Sequence, residues 1–171
     1  SGQLGSELVR TAPKHWQVTG VDLHHWDVTE PSAEDEILRR RPHLVLNAAA
    51  YTAVDRAEED RETAYAVNAA GAARVAGACR RVGARLVHLS TDFVFDGTQG
   101  RPYRPDDTPK PLSVYGASKL EGEKLVKEIL GERVRIVRTS WLYSRFGGNF
   151  VLTMLRLLRD RPEVKVVTDQ V

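Results

Sequence analysis

Cysteine and long apolar runs are scarce in this 171-residue chain, and each scarcity closes off a class of protein. The one cysteine, Cys79, allows no internal disulfide, so a disulfide-stapled scaffold is excluded. It ends the Ala/Gly-rich stretch GAARVAGAC, where a small buried residue is expected rather than a nucleophile. No run approaches the ~18 apolar residues of a membrane span, and no signal-peptide pattern is visible, so no membrane partner is expected. Charge of one sign is also lacking: 25 Lys and Arg stand against 23 Asp and Glu, a net +2 that gives no reason to expect a nucleic acid. The densest basic run, Arg39-Arg40-Arg41, reads as a solvated helix end that suits the helix dipole. A reducing, cytoplasmic setting fits this composition.

What is present is an ordinary globular balance, 42% hydrophobic and 28% charged. That is enough for one cored domain, or one domain and the start of a second. The opening Ser1-Gly2-Gln3-Leu4-Gly5 reads as the middle of a loop running into a helix. The closing Lys165–Val171 reads as a strand stopped in mid-course, so the sequence is expected to be part of a longer protein.

Strand and helix patterns alternate along the chain. A helix starts over Gly5–Thr11 and a strand is expected over Trp16–Asp22. A helix over Ser32–Arg41 shows a capping pattern in Ser32, Asp35 and Glu36. His43–Ala48 is a short apolar strand, and Arg61–Val82 a long Ala-rich helix stopped by Gly83. Its small residues Ala69-Ala70-Gly71-Ala72-Ala73 are expected to lie close on the sheet. Arg85–Ser90 is a strand, Val114–Leu130 a helix stopped by Gly131, Val134–Arg138 a strand and Asn149–Arg159 a helix. Such alternation implies an α/β fold with a parallel sheet covered on both faces. Ligands of such sheets bind beyond the strands' carboxyl ends, which here carry Asp22, Asn47–Thr52, Ser90–Phe93 and Thr139–Trp141.

Two constellations at those ends carry chemistry. Gly2-x-x-Gly5 opens a helix whose backbone amides can approach a pyrophosphate, and Asp22 follows where a carboxylate would bind ribose hydroxyls. A carboxylate there favours NADH over a 2′-phosphate. Tyr115-Gly-Ala-Ser-Lys119 puts a phenol and an ammonium on one helix face, four residues apart. A phenol of ordinary pKa near ~10 needs a neighbouring cation to work at neutral pH, and Lys119 can supply it while holding the nicotinamide ribose. Ser90-Thr91-Asp92-Phe93 adds hydroxyls that can polarise a substrate carbonyl for hydride attack.

These motifs, with Asn47-Ala-Ala-Ala-Tyr-Thr-Ala-Val-Asp55, Val67-Asn68, Ser90–Gly97 and Arg138-Thr-Ser-Trp-Leu-Tyr143, follow the order found in extended short-chain dehydrogenases/reductases. Within them the chain most resembles the dTDP-4-dehydrorhamnose reductase family. Asn149–Leu155 and Val167-Thr-Asp-Gln170 are similar to that family as well. The resemblance implies a Rossmann-like doubly wound sheet over residues 1–145, lacking its first strand, and the beginning of a substrate-binding domain over 146–171. It implies reduction of the 4-keto group of dTDP-4-dehydro-L-rhamnose to dTDP-L-rhamnose, a step towards bacterial surface polysaccharides. By position Tyr115 matches the proton donor, Lys119 its cofactor-binding partner, and Thr91 a third catalytic residue. Thr91, Asp92 and Trp141 match contacts to the sugar nucleotide. Gly2, Gln3, Leu4, Asp22, Asp27, Val28, Ala50, Tyr51, Thr52 and Leu89 match the cofactor wall, with Asp27-Val28 against the adenine. The implied cofactor is NADPH or NADH, with Mg2+ a possibility by resemblance alone and a homodimer another. Phe93 departs from the family, which often has Tyr there.

Other readings share parts of this pattern. A nucleotide-sugar 4,6-dehydratase needs a further acid–base pair, and Phe93 stands where resembling dehydratases place Glu after Asp. An epimerase uses the same Tyr/Lys pair and stays open. So does a non-catalytic binder similar to the regulatory β subunit of methionine adenosyltransferase, which acts through a partner enzyme. A metal hydrolase is disfavoured, because His24-His25 are adjacent and His15, His43 and His88 lack ligand spacing, so no metal-ligating residue is named.

Overall fold

The computed structural model describes residues 2–166. It divides into two compact units, Ser1–Val21 with Trp141–Val171, and Asp22–Ser140. In chain order the elements are α1 (Gln3–Thr11), α2 (Ser32–Arg40), β1 (Leu44–Asn47), α3 (Val54–Glu59) and α4 (Arg61–Tyr65). A π-helical segment (Ala66–Gly71) leads directly into α5 (Ala72–Val82). Then come β2 (Arg85–Thr91), a 3-10 turn (Asp92–Val94), α6 (Val114–Leu130), β3 (Val134–Thr139) and α7 (Phe150–Asp160).

The larger unit holds a parallel sheet in the order β1-β2-β3. Leu44 aligns with Arg85, Leu86 with Val134 and Thr91 with Thr139. Side chains alternate along each strand, so Leu86, His88 and Ser90 share the buried face of β2. That face packs with α5 and α6 into a core of Val75, Ala76, Cys79, Leu86, Val126 and Val134. Each Val or Leu buried there contributes roughly 1.5–3 kcal/mol. A strand, helix and strand in parallel bring every carboxyl end to one edge, which fixes where Asn47 and Thr91 lie. Gly83 ends α5 at φ 76°, the left-handed geometry expected of a C-terminal stop.

Several expectations change in the structure. Trp16–Asp22 forms no strand: a strand in a covered sheet buries its side chains, and residues 16–21 are all exposed. Ser32 is the first residue of α2 rather than its cap; Pro31 precedes it in helical geometry and Glu36 pairs instead with Arg39 and Arg40. The helix expected over Arg61–Val82 widens over Ala66–Gly71. Of its small residues, Ala72 lies in the core with Leu86 of the sheet, and a Cβ on Gly71 would meet Val28; on α6, a Cβ on Gly122 would meet the Asn68 carbonyl oxygen at 2.1 Å. Helix α3 lies in a segment for which no helix was expected. Val167–Val171, which hold the motif Val167–Gln170 and most of the strand expected over Lys165–Val171, lie outside the described residues; Lys165 and Val166 are irregular.

In the smaller unit, Gln3 joins distant parts of the sequence. Its amide donates to the Leu142 carbonyl at 3.1 Å and accepts from Asn149 at 3.3 Å. Asn149 also caps α7, accepting from the Leu152 amide. No helix among the described residues is long and apolar enough to cross a membrane.

Candidate active site

The start of α6 is fixed from two directions. The Ser113 hydroxyl accepts from the Gly116 amide at 3.1 Å, and the Glu58 carboxylate accepts from the Val114 amide at 2.7 Å. Gly116 lets this first turn lie on the preceding loop, since a Cβ there would meet the Phe93 carbonyl oxygen at 2.2 Å. Tyr115 is thereby held beside the end of β2. Its ring packs edge-on against Phe93, with centroids 5.6 Å apart, and only 8% of the residue is exposed. The Thr91 hydroxyl donates to Asp92 at 3.0 Å and accepts from the Phe93 amide at 3.2 Å.

Burial raises the Tyr115 pKa; the hydrogen bond with the Thr91 hydroxyl works against this and the Asp92 carboxylate adds to it. The phenol is thus held protonated. Lys119, four residues on, is 2% exposed. Its ammonium donates to the Leu89 carbonyl at 2.6 Å, so it faces the sheet backbone. Burial lowers its pKa to about 8 against the opposing pull of Glu123. His88, on β2, is buried and held neutral, its pKa lowered to about 3 by burial and by the Lys119 charge. The Asn47 carboxamide oxygen accepts from the Ala49 amide, so its nitrogen faces His88 Nδ1 at 3.3 Å and leaves the ring proton on Nε2.

A third segment closes around this helix. Asn68, in the π-helical segment, accepts from the Tyr51 amide at 2.9 Å and donates to the Tyr51 carbonyl at 3.1 Å. The same carboxamide donates to the Ser118 hydroxyl at 3.0 Å, which in turn donates to the Tyr115 carbonyl at 2.8 Å. One buried side chain therefore ties the loop after β1 to the turn of α6 between Tyr115 and Lys119. Tyr51 packs with Ala57, Ala64 and Tyr115, and its hydroxyl is buried without a hydrogen-bond partner.

Of the residues expected at the site, Thr91, Tyr115, Lys119 and Leu89 converge at the end of β2, and Tyr51 joins Tyr115 in one cluster. Ala50 is half-buried in the same loop, while Asp92 and Thr52 are exposed. The Asp22 carboxylate accepts from His25 Nδ1 at 2.8 Å, and this hydrogen bond lowers its pKa. The Asp27 carboxylate is engaged by Thr29, from its amide at 2.8 Å and its hydroxyl at 2.7 Å. Val28 is buried against Gly71, and its carbonyl accepts from Arg74 at 2.9 Å. Ser90, expected to offer a hydroxyl to substrate, is buried facing the core side of β2.

In the smaller unit, Gly2 is extended ahead of α1, and Gln3, Leu4 and Gly5 form the first turn, whose amides have no intrahelical acceptor. Trp141 is 61% exposed at φ 51°, a left-handed geometry rare for a bulky side chain, and meets Phe150 edge-on.

The residues of the larger unit fit a nicotinamide dinucleotide. An orphaned buried hydroxyl on Tyr51 asks for a partner, and the Lys119 ammonium gives Leu89 one of its three hydrogens. Among the described residues no three His, Cys, Asp or Glu side chains gather where they could hold a metal ion.

Residues 1–171 match the family model described as the RmlD substrate binding domain. The chain belongs to this family. A dTDP-4-dehydrorhamnose reductase of Streptomyces griseus is 46% identical over 172 residues, 99% of this chain and 57% of the relative. That of Escherichia coli K12 is 41% identical over 175 residues, covering 99% and 58%. The crystal structure of the dTDP-4-dehydrorhamnose reductase from Bacillus anthracis Ames in complex with NADP is similar at a TM-score of 0.89 and 44% identity, covering 94% of this chain and 57% of that one. An ortholog from Clostridium acetobutylicum reaches a TM-score of 0.93 at 42% identity over 98% and 60%. The chain thus spans a little under three-fifths of the curated relatives it matches. The likeness read from the motifs and the Rossmann-like parallel α/β fold are both borne out.

In this RmlD-family chain, sequence reading reached Tyr115, Lys119 and Thr91 but gave Asn68 no role. The only signal was the Val67-Asn68 pair within an otherwise small-residue helix. A polar residue there, surrounded by alanines, marks a buried hydrogen-bonding job.

Proposed function

We propose that the protein is an NAD(P)H-dependent oxidoreductase that reduces the 4-keto group of dTDP-4-dehydro-L-rhamnose. The carrying observation is the buried, protonated Tyr115 phenol beside Thr91, with Lys119 four residues along the same helix. A reduced nicotinamide, when bound, supplies the hydride. Tyr115 delivers the proton from its phenol oxygen to the carbonyl oxygen as that oxygen gains charge. Thr91 positions the carbonyl and then hydrogen-bonds the phenolate left on Tyr115. Lys119 holds the nicotinamide ribose with the hydrogens it does not give Leu89, and its positive charge favours the phenolate. Gly2, Gln3 and Leu4 bind the pyrophosphate at the first turn of α1. Asp22, Asp27, Val28, Ala50, Tyr51, Thr52 and Leu89 line the rest of the cofactor, and the Tyr51 hydroxyl gains its missing partner there.

Asp92 and Trp141 meet the sugar nucleotide. Phe93, with no acid–base function, leaves the site equipped for hydride and proton delivery rather than for elimination. Residues 1–145 serve as the cofactor domain and 146–171 begin the substrate domain. The enzyme works in the cytoplasm, in the supply of dTDP-L-rhamnose for surface polysaccharide.

The test is turnover by the full-length protein. With NADPH or NADH and dTDP-4-dehydro-L-rhamnose, the expected result is cofactor oxidation matched by dTDP-L-rhamnose. No oxidation, together with capture of an adenosyltransferase subunit, would replace the enzyme with a regulatory binder.

A further inference from the structure

Glu123 and Arg138 form an ion pair within the larger unit whose carboxylate is almost inaccessible, its side chain 6% exposed. Arg138 Nε and Nη2 reach the two carboxylate oxygens at 2.9 and 2.6 Å, a two-point grip. The guanidinium lies over the Phe95 ring at 5.0 Å and donates to the Pro105 carbonyl at 3.2 Å, so it is itself held from the loop side. Stability alone gives little reason for such a pair, because apolar side chains of similar volume serve a fold as well or better.

Its position supplies a reason. Glu123 lies one helical turn beyond Lys119, and both side chains are buried on α6. A Lys and a Glu four apart on one helix face are neighbours able to pair directly. Here they do not: the ammonium donates to Leu89 and both carboxylate oxygens are taken by Arg138. Resting on the reductase reading above, we propose that the Glu123–Arg138 pair positions Lys119. Arg138 keeps the Glu123 carboxylate near enough to favour the charged ammonium yet unable to capture it. The ammonium is thereby left at the end of β2 for the nicotinamide ribose.

The groups acting on this ammonium come from few elements. Its own helix contributes Glu123, and β2 contributes the neutral His88. From β3 comes Arg138, already spent on Glu123, and Asp92 of the 3-10 turn acts on Tyr115. Where α6 crosses the π-helical segment and α5, at Gly122, it meets the Asn68 carbonyl and Ala72, which carry no charge.

The test is the pH dependence of NADPH binding to the full-length protein, followed by fluorescence so that turnover is not required. Glu123→Gln should move the alkaline loss of binding to lower pH by about one unit or more, since a neighbouring carboxylate no longer favours the ammonium. The double replacement of Glu123 and Arg138 by Met should melt near the wild-type temperature yet keep that displaced limb. A folded double variant with a wild-type binding profile would overturn the proposal and leave the pair a folding role. If neither protein folds, Arg138→Lys decides, because it keeps the charge without the two-point grip. Weaker NADPH binding at unchanged melting temperature supports positioning, and unchanged binding overturns it. A wild-type protein that binds NADPH normally but reduces no keto sugar refutes the reductase reading, while the binding profiles still decide the role of the pair.

Discussion

At the scale of single residues, the site depends on two close approaches that a Cβ would block. Gly122 admits the Asn68 carbonyl, and Gly116 admits that of Phe93. Gly122→Ala must separate α6 from the π-helical segment, because the atom it strikes is backbone and cannot swing aside. A loss of about 1–3 kcal/mol is expected, read as a lower melting temperature. His88 gives a second prediction. Its folded pKa of about 3 lies below the ordinary 6.5, so between those values the unfolded chain holds a proton that the folded chain refuses. This contribution to stability is whole above pH 6.5 and is lost as pH falls towards 3, at up to about 1.4 kcal/mol per pH unit. Urea midpoints measured across that range should fall less steeply for His88→Gln than for the wild type. Tyr115 and Lys119 were legible in the sequence because their spacing alone sets a shared helix face. Asn68 was not, since its work is to hold the backbone of Tyr51, 17 residues away in sequence.

At the scale of elements, helices with local stop and start signals could be read directly. The end of α6 follows from Gly131 after it, and the core-facing strands follow from their apolar runs. Elements that depend on partners were harder. The segment Trp16–Asp22 has the residues of a strand but leaves residues 16–21 exposed, while the π-helical segment answers to a tertiary contact that no periodicity records. The place of Cys79 in α5 can be checked by labelling. The thiol is wholly buried, and burial pushes its pKa up to about 11. A thiol reagent should leave it unmodified in the native protein near neutral pH and modify it fully in denaturant. Prompt labelling of the native protein would mean that α5 does not pack on the sheet as described.

At the scale of the molecule, alternating strands and helices were enough to give a parallel sheet and to place the chemistry at one edge of it. Charge balance and composition gave no reason to expect a nucleic acid and named no substrate; the substrate reading rests on the family likeness, with Phe93 setting it apart from a dehydratase. In the proposed reaction Tyr115 delivers the proton of a nicotinamide-dependent keto reduction. The most direct measurement compares full-length wild type and Tyr115→Phe for both NADPH binding and turnover of dTDP-4-dehydro-L-rhamnose. The variant is expected to bind NADPH within a few-fold of wild type while turnover falls by about 10²–10⁴-fold. Undiminished turnover in Tyr115→Phe would contradict that role for Tyr115.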